Sequence, residues 1–241
     1  MYSIVCVFNN ENLLNKCLIK SIKYQKFTDY ELILIDSKRH NFQSASSALN
    51  YAFELCTGDY VIFAHQDLII EDKNFLQKLD LSLKKEDFGI AGVAGLKIGD
   101  NGKVELFSNI LHGFEKQKIS PYVKRINKLT KVSTVDECFF VVKNNDIRFR
   151  NIGETWHLYA TDYALQMEAI KESVVVLPLQ LWHYSKGNSF NMNYFDAIYS
   201  LCKKTKDKKF ITTFWGKWPT NIVLLKIKIL YRKLRYRIAR R

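Results

Sequence analysis

His65 and Asp67 form the pair in this sequence whose residue types and spacing best suit chemistry. They follow an uninterrupted apolar run, residues 60–64 (YVIFA), which is typical of a strand buried on both faces of a parallel sheet. The carboxyl edge of such a sheet is where open α/β folds bind ligands. A carboxylate two residues from an imidazole can hold a divalent cation such as Mg²⁺ or Mn²⁺, and through it a diphosphate. The tripeptide also fits an ordinary polar turn, because so short a motif often matches by chance.

The elements that must position this pair are predicted from apolar periodicity. Strands are predicted at residues 2–8 and 30–35, and helices at residues 13–24 and 46–57. The order strand, helix, strand, helix, strand predicts a parallel α/β sheet with right-handed connections. No G-x-G-x-x-G motif follows the first strand, so the dinucleotide-binding fingerprint is not supported.

The stretch around the pair resembles a known family. The pattern consists of Ala48-x-Asn50, then Gly58-Asp59-Tyr60, four apolar residues and Asp67. It resembles the centre of family 2 glycosyltransferases with the GT-A fold, whose D-X-D motif ends this strand. His65 stands where that motif has its first Asp. This variant occurs in a bacterial glycosyltransferase-like subfamily associated with capsule and surface polysaccharide synthesis.

A second stretch carries the same resemblance. Residues 156–162 (WHLYATD) and 183–187 (HYSKG) resemble the second half of that subfamily. The resemblance implies an α/β GT-A fold, Rossmann-like, with a mostly parallel central sheet flanked by helices. It also implies transfer of a sugar from a nucleotide-sugar donor to a hydroxyl acceptor, either lipid-linked or a growing surface glycan.

The resemblance also implies a set of donor-binding residues. These lie in the turn after the first strand, at the end of the second strand, in the helix and at the motif: Phe8, Asn9, Glu11, Asp36, Asn50 and His65. A carboxylate such as Asp36 can accept the imide N–H of uracil or thymine, which favours a UDP- or dTDP-sugar. Asp36-Ser37-Lys38-Arg39 keeps only the first Asp of the family pattern, which leaves the base open. Asp36 also fits a carboxylate merely exposed at a strand end.

The metal ligands implied by the resemblance are Asp67, His65 and His183. Imidazole is acceptable to Mn²⁺ and less typical of Mg²⁺. His183 lies between Trp182 and Tyr184, so it also fits an aromatic packing residue whose ring N–H donates to a carbonyl.

The resemblance makes Asp162 the counterpart of the carboxylate that deprotonates the acceptor hydroxyl, with inversion at the anomeric carbon. The subfamily commonly has a further Asp two residues earlier, where this sequence has Ala160. An acid at a helix N-terminus is also explained by the helix dipole. Glu154 and Asp136 are the alternative bases.

The excess positive charge is confined to the C-terminal part of the chain. The formal net charge is +13, and residues 203–241 carry 14 basic residues and one acid, whereas residues 1–202 are neutral. We therefore predict a GT-A domain at residues 1–188 and a basic helical extension at residues 189–241. A final helix, residues 221–241, has one continuous apolar stripe and is too polar to cross a bilayer.

The positive charge and the apolar stripe of this extension predict that the protein attaches peripherally to an anionic membrane surface. Alternatives are that the stripe packs on the protein's own sheet or on a second copy of the chain. Five cysteines without a C-x-x-C pair indicate free thiols, and a strand that starts at residue 2 leaves no room for a signal peptide. These features predict a protein on the cytoplasmic face of the cell membrane, with homo-oligomerisation left open.

Two other functions fit parts of the sequence. A nucleotidyltransferase would need a glycine-rich basic loop after the first strand, whereas residues 9–11 are acidic and lack glycine. A non-catalytic module could bind RNA or a protein partner through the basic tail, with Trp215 and Trp218 stacking on bases. The neutral domain continues no basic track, so nucleic acid is not the expected partner.

Overall fold

The structure is a computed structural model that describes residues 1–100, 102–117, 119–185 and 190–238. The predicted domain boundary at residue 188, the last two residues of the HYSKG motif and Arg241 lie outside the described residues. The helices are α1 (Glu11–Leu14), α2 (Lys20–Lys23), α3 (Ser37–His40), α4 (Ala45–Phe53), α5 (Phe75–Leu83), α6 (Tyr159–Ala169), α7 (Asn193–Lys204) and α8 (Ile222–Ile238), with a π-helical turn, Asn15–Ile19, joining α1 to α2.

The strands are mostly short. They are β1 (Tyr2–Phe8), β2 (Tyr30–Asp36), β3 (Tyr60–Ala64), β4 (Leu68–Ile69), β5 (Ile90–Gly92), β6 (Ala94–Ile98), β7 (Val104–Ser108), β8 (Leu111–His112), β9 (Val123–Lys124), β10 (Thr130–Lys131), β11 (Thr134–Val135), β12 (Phe139–Lys143), β13 (Val174–Val176), β14 (Trp182–His183), β15 (Phe210–Thr213) and β16 (Gly216–Pro219).

The central sheet of the described chain has seven strands in the order β10-β13-β5-β12-β3-β1-β2. Strand β1 pairs in parallel with β2 and β3, and β13 pairs in parallel with β5, while β12 and β10 run antiparallel to their neighbours. Five strands therefore point one way. The predicted mostly parallel sheet is confirmed.

Registry brings the ends of the first three strands to one edge. Phe8 pairs with Asp36 across β1 and β2, and Val5 pairs with Phe63 across β1 and β3. The turns after these strands therefore open on the same side, as expected where parallel strands end. Gly58 precedes β3, and a Cβ atom there would lie 2.6 Å from the backbone nitrogen of Ser3, so a larger residue would displace the turn.

The core lies on both faces of the sheet. Ile62 packs in one apolar cluster with the α1–α2 segment and α5, whereas Val61 and Phe63 pack in another with α4 and α6. These three side chains are 0–2% exposed. The two-sided burial explains why β3 reads as a continuous apolar run rather than an alternating one.

The C-terminal elements form a third apolar cluster with α6. Leu158 and Leu165 at α6 pack with α7, the β15–β16 hairpin and Leu225 of α8, and Trp218 is fully buried among them. The residues after 190 therefore share a core with the sheet-bearing part of the chain.

The predicted apolar stripe of α8 faces away from this core. Its members are half to three quarters exposed: Val223, Leu224, Ile227, Leu230, Tyr231, Leu234 and Ile238. The alternative that the stripe packs on the protein's own sheet is therefore wrong, because the opposite side of α8, with Leu225, contacts the core. In the described ranges, no helix combines the length and the hydrophobicity that a membrane crossing requires.

Candidate active site

A pocket of about 320 Å³ opens at the carboxyl edge of β1 and β3. Its walls come from the turns after these strands, the start of α4 and the segment before α6. Polar groups on its lining include Asn9, Gln66, Asp67, Glu137 and His157. An apolar cavity of this size with a few convergent polar groups is the usual form of a ligand site.

The structure brings His65, Asp67 and His183 together at the pocket edge. One potential ligand atom from each lies within 4.8 Å of the others, and Nε2 of His183 is 3.2 Å from Oδ1 of Asp67. Strand β14 makes this possible because it pairs with β4, which directly follows Asp67, so that His183 lies opposite Leu68. The backbone N–H of Tyr184 also donates to the carbonyl of Asp67 at 2.9 Å.

The protonation preferences of the three groups are coupled. Burial opposes ionisation of Asp67, but the hydrogen bond from His183 and the charges of His183 and His65 outweigh it, so the pKa of Asp67 is lowered. Burial disfavours protonated His183, yet Asp67 and Asp136 raise its pKa overall. Burial and the neighbouring His183 lower the pKa of His65. The cluster thus holds one ionised carboxylate beside a neutral imidazole.

These groups fit a divalent cation of borderline character. One carboxylate and two imidazoles are a donor set that Mn²⁺ accepts. Nε2 of His65 also contacts the hydroxyl of Tyr159 at 2.9 Å, which orients the ring as the partners of metal-ligating histidines do. His65, Asp67 and His183 are the residues that would hold the ion.

His112 is a neighbour that the sequence did not reveal. It lies in β8 opposite His183 of β14, and the two rings are 5.6 Å apart in a T-shaped arrangement. Burial and the charge of His183 lower the pKa of His112. The surrounding segment, residues 97–134, has no periodicity that predicts strand pairing with His183.

Two predicted donor residues, Phe8 and Asn9, line the pocket as expected. The backbone N–H groups of Asn9 and Asn10 donate to Oε1 of Gln66 at 3.1 and 3.0 Å, and Nε2 of Gln66 donates to Oδ1 of Asn9 at 2.9 Å. Gln66 is the middle residue of the His65–Asp67 motif. Its side chain therefore locks the turn after β1 to the turn after β3.

The structure places the other predicted donor residues elsewhere. None of Glu11, Asp36 and Asn50 is among the described residues that line the pocket. Asp36 is the N-cap of α3, where Oδ1 accepts the backbone N–H groups of Lys38 at 2.9 Å and of Arg39 at 3.3 Å.

The positions of Asn50 and Glu11 are also explained by local contacts. Asn50 exchanges two hydrogen bonds of 2.9 Å with the backbone of Phe149, and so joins α4 to the segment before α6. Glu11 is exposed in the first turn of α1, where its charge favours the helix dipole. The donor-binding roles of these two residues and of Asp36 stay predictions.

Asp162 is also not brought to the pocket. Its side chain is 1% exposed, and its Oδ1 accepts Nε and Nη2 of Arg150 at 2.9 and 2.5 Å. Its Oδ2 accepts the backbone N–H of Arg150 and Nε2 of Gln166 at 3.3 and 3.2 Å. Burial raises the pKa of Asp162 despite Arg150. Both oxygens of Asp162 thus accept hydrogen bonds inside the fold, and its role as base stays a prediction.

Glu137 is the carboxylate that the structure does place in the pocket, together with Asp67. It lies just before β12. Burial and the charge of Asp136 raise the pKa of Glu137 well above its ordinary value, although the backbone N–H groups of Leu158 and Tyr159 oppose the rise. The acids before β12 were visible in the sequence, but nothing there indicated which one would face the pocket.

The sheet order and the cluster at its carboxyl edge define an α/β protein of GT-A type. The sequence matches the Glycosyltransferase like family over residues 3–206, and the chain belongs to this family. Comparison with curated protein sequences gives no match.

Solved structures share the fold at low identity. S. aureus TarS residues 1–349 in complex with UDP-GlcNAc is 12% identical, with a TM-score of 0.57, over 83% of this chain and 65% of that one. The mannosyltransferase PcManGT from Pyrobaculum calidifontis, in complex with GDP-Man and Mn²⁺, is also 12% identical, with a TM-score of 0.57, over 86% and 64%. GalNAc-T7 with UDP, GalNAc and Mn²⁺ is 10% identical, with a TM-score of 0.59, over 83% and 47%. This chain thus spans less than two thirds of the length of these proteins.

Proposed function

We propose that this protein is a metal-dependent glycosyltransferase that moves a sugar from a nucleotide donor to a hydroxyl acceptor. The observation that carries the proposal is the convergence of His65, Asp67 and His183 at the edge of the pocket. The family match supports the reaction class, and structural neighbours in complex with nucleotide sugars and Mn²⁺ support the donor class and the ion. UDP- and dTDP-sugars remain the donors to test first.

The roles follow from position. Asp67, with His65 and His183, would hold the ion, and the ion would supply positive charge against the negative charge that develops on the departing diphosphate. Phe8 offers an aromatic face beside the nucleotide, and Gln66 fixes the turn that carries Asn9. The donor-binding roles predicted for Asp36, Asn50 and Glu11 stay predictions, since none of the three is among the described residues that line the pocket.

We assign the base to Glu137. The acceptor oxygen attacks the anomeric carbon in line with the leaving diphosphate, the bond from that carbon to the diphosphate oxygen breaks, and the acceptor proton passes to the Glu137 carboxylate. In-line attack inverts the anomeric configuration. Two carboxylates stand among the described lining residues, and Asp67 contacts His183, which leaves Glu137 for the proton. Burial and the charge of Asp136 raise its pKa, which makes the Glu137 carboxylate a stronger base than a solvent-exposed one.

Hydrolysis and transfer assays with a panel of nucleotide sugars and Mn²⁺ test the function. Glu137→Gln should reduce turnover by about 10²–10⁴-fold while donor binding persists, as loss of general base catalysis does. Glu115→Gln is the matched control, because that carboxylate is exposed and is not among the described residues that line the pocket. Absence of turnover with every donor would contradict the proposed function, and a product that retains the donor's configuration would contradict inversion.

We also propose that α8 attaches the protein to an anionic lipid surface, where a lipid-linked acceptor would be found. Residues 222–238 contain six cations and no acid. At 100° per residue, Lys226 and Arg237 border the exposed apolar stripe on one side and Arg235 on the other. Each cation near an anionic surface contributes about 1 kcal/mol, and an outward apolar face adds burial at the headgroup boundary.

The five described cysteines are all free thiols, which supports a reducing compartment.

Sedimentation with vesicles of phosphatidylglycerol and phosphatidylcholine tests this attachment. The full chain should pellet with vesicles and be released by high salt, whereas Ile227→Glu combined with Leu234→Glu should stay in the supernatant. Tyr24→Glu combined with Tyr122→Glu is the control, because it makes the same charge change at exposed aromatic residues elsewhere. Equal pelleting of both variants would show that the stripe is not the attachment surface.

A further inference from the structure

A small second cleft adjoins the pocket across a shared wall. It has a volume of about 60 Å³, and Glu137 and His157 line both it and the pocket. Its far side consists of Phe214 and Trp215, at the turn of the β15–β16 hairpin. The hairpin lies beyond residue 206, where the family match ends. The second cleft is therefore completed by a part of the chain that the family does not define.

The hairpin presents Trp215 in a fixed orientation. Its ring centroid is 4.2 Å from that of Phe190, and its backbone N–H donates to Oγ1 of Thr213 at 3.2 Å. Nη2 of Arg232, on the core-facing side of α8, donates to the Trp215 carbonyl at 2.5 Å. Trp215 nevertheless remains 44% exposed. A large aromatic side chain held this firmly and left open is suited to contact a ligand.

The shared wall carries a polar group without a partner. Nε2 of His157 is buried and makes no hydrogen bond to any described group. A buried polar atom without a protein partner is usually satisfied by an ordered water molecule, and the second cleft beside His157 has room for water. Glu137 stands beside it on the same wall and can accept hydrogen bonds from hydroxyl groups.

We propose that the second cleft belongs to the acceptor subsite: a pyranose ring lies at the mouth of the cleft with one face on exposed Trp215, and one of its hydroxyl groups enters the cleft towards Glu137. A sugar has both surfaces that this cleft complements: an apolar C–H face and a rim of hydroxyl groups. The assignment rests on the proposed glycosyltransferase function. It also gives Trp215 a role separate from membrane attachment, since Arg232, which binds its carbonyl, lies on the side of α8 opposite the apolar stripe.

Saturation-transfer NMR on the full chain tests this subsite with three probes: methyl β-D-glucopyranoside, methyl β-D-galactopyranoside and methyl N-acetyl-β-D-glucosaminide. These probes lack an alkyl tail that could bind the α8 stripe. At least one should bind the unaltered protein, and Trp215→Ala should weaken that binding by about tenfold, the upper range for a lost aromatic contact. Trp215→Phe should restore most of it.

Phe210→Ala is the matched control, because Phe210 is a comparably exposed aromatic residue of the same hairpin that lines neither the pocket nor the second cleft. Circular dichroism melting of each variant shows whether the hairpin is intact. Failure of all three probes to bind, or equal binding by Trp215→Ala, would overturn the subsite. Binding that depends on Trp215 in a protein that hydrolyses no nucleotide sugar would support a carbohydrate subsite and reject the glycosyltransferase function.

Discussion

Asp67 and Asp162 are two carboxylates on the same fold with opposite surroundings. The side chain of Asp67 is 17% exposed, lies at the open edge of the sheet and contacts His183. Asp162 is 1% exposed at the first turn of α6, with four hydrogen bonds from Arg150 and Gln166. The region around Asp67 leaves ligand capacity available, whereas the region around Asp162 uses all of it. The comparison teaches that the residue type alone does not decide whether an acid has oxygens free for a ligand; its surroundings in the fold do.

The largest expected effect is a difference in transfer activity between a variant of Asp67 and a variant of Asp162. Asp67→Ala should abolish transfer and Mn²⁺-dependent donor binding with little change in melting temperature, because it removes a ligand from a partly exposed cluster. Asp162→Asn should retain transfer by the folded protein within a few-fold, because Asp162 is away from the pocket. Steady-state kinetics and Mn²⁺ titration measure both. Undiminished activity of Asp67→Ala, or full activity in EDTA, would reject the metal site.

The second prediction concerns the stability that the surroundings of Asp162 contribute to the fold. Arg150→Ala should lower the free energy of unfolding by about 3–5 kcal/mol, because it leaves a buried carboxylate without its partner. Arg39→Ala is the control, since Arg39 is 83% exposed where it contacts Asp36, and such a surface pair contributes about 1 kcal/mol or less. Urea denaturation gives both values. A loss at Arg150 no larger than at Arg39 would mean that Asp162 is not held as the structure shows.

The loss of stability in Arg150→Ala should depend on pH in one definite direction. The pKa of Asp162 is raised in the folded protein by burial despite Arg150, so this carboxyl stabilises the fold below its unfolded pKa and the contribution is lost as pH rises through the folded pKa. Removal of Arg150 raises the folded pKa further. The destabilisation of Arg150→Ala should therefore be smaller in mild acid than at neutral pH.

A smaller effect is expected at His183, the partner of Asp67. His183→Ala should weaken Mn²⁺ binding by at least about 10–100-fold, because it removes one of three proposed ligands and loss of even a group that only orients a ligand costs that much. His112→Ala tests whether the adjacent ring shares this role, and we expect it to change Mn²⁺ affinity less. Isothermal titration calorimetry gives the affinities. Unchanged Mn²⁺ affinity in His183→Ala would reduce His183 to a packing residue.

The smallest effect concerns Asp36. Asp36→Ala should cost about 1 kcal/mol of unfolding free energy, because it removes the N-cap of α3. Asp36→Asn keeps a capping oxygen and should be nearly as stable as the unaltered protein. A loss of nucleotide affinity in Asp36→Asn, at unchanged stability, would support the predicted role of Asp36 in the donor site.

Sequence periodicity was sufficient to predict the sheet and its functional edge. The apolar runs at β1, β2 and β3 placed Phe8, Asn9, His65 and Asp67 at strand ends, and parallel strands bring such ends together. The apolar stripe of α8 was also visible, because helical periodicity depends on near neighbours in the chain.

The tertiary structure alone decided which other side chains reach that edge. Asp162 and Glu137 are both acids near the ends of elements, and packing decided where each side chain lies. The Asp162 carboxylate contacts Arg150, whereas Glu137, just before β12, lines the pocket. The outward direction of the α8 stripe was decided in the same way, by the burial of Leu225 on the opposite side. Local periodicity specifies that a helix has two faces, but the core that covers one of them is assembled from residues distant in the chain, and so the choice is made only in the folded protein.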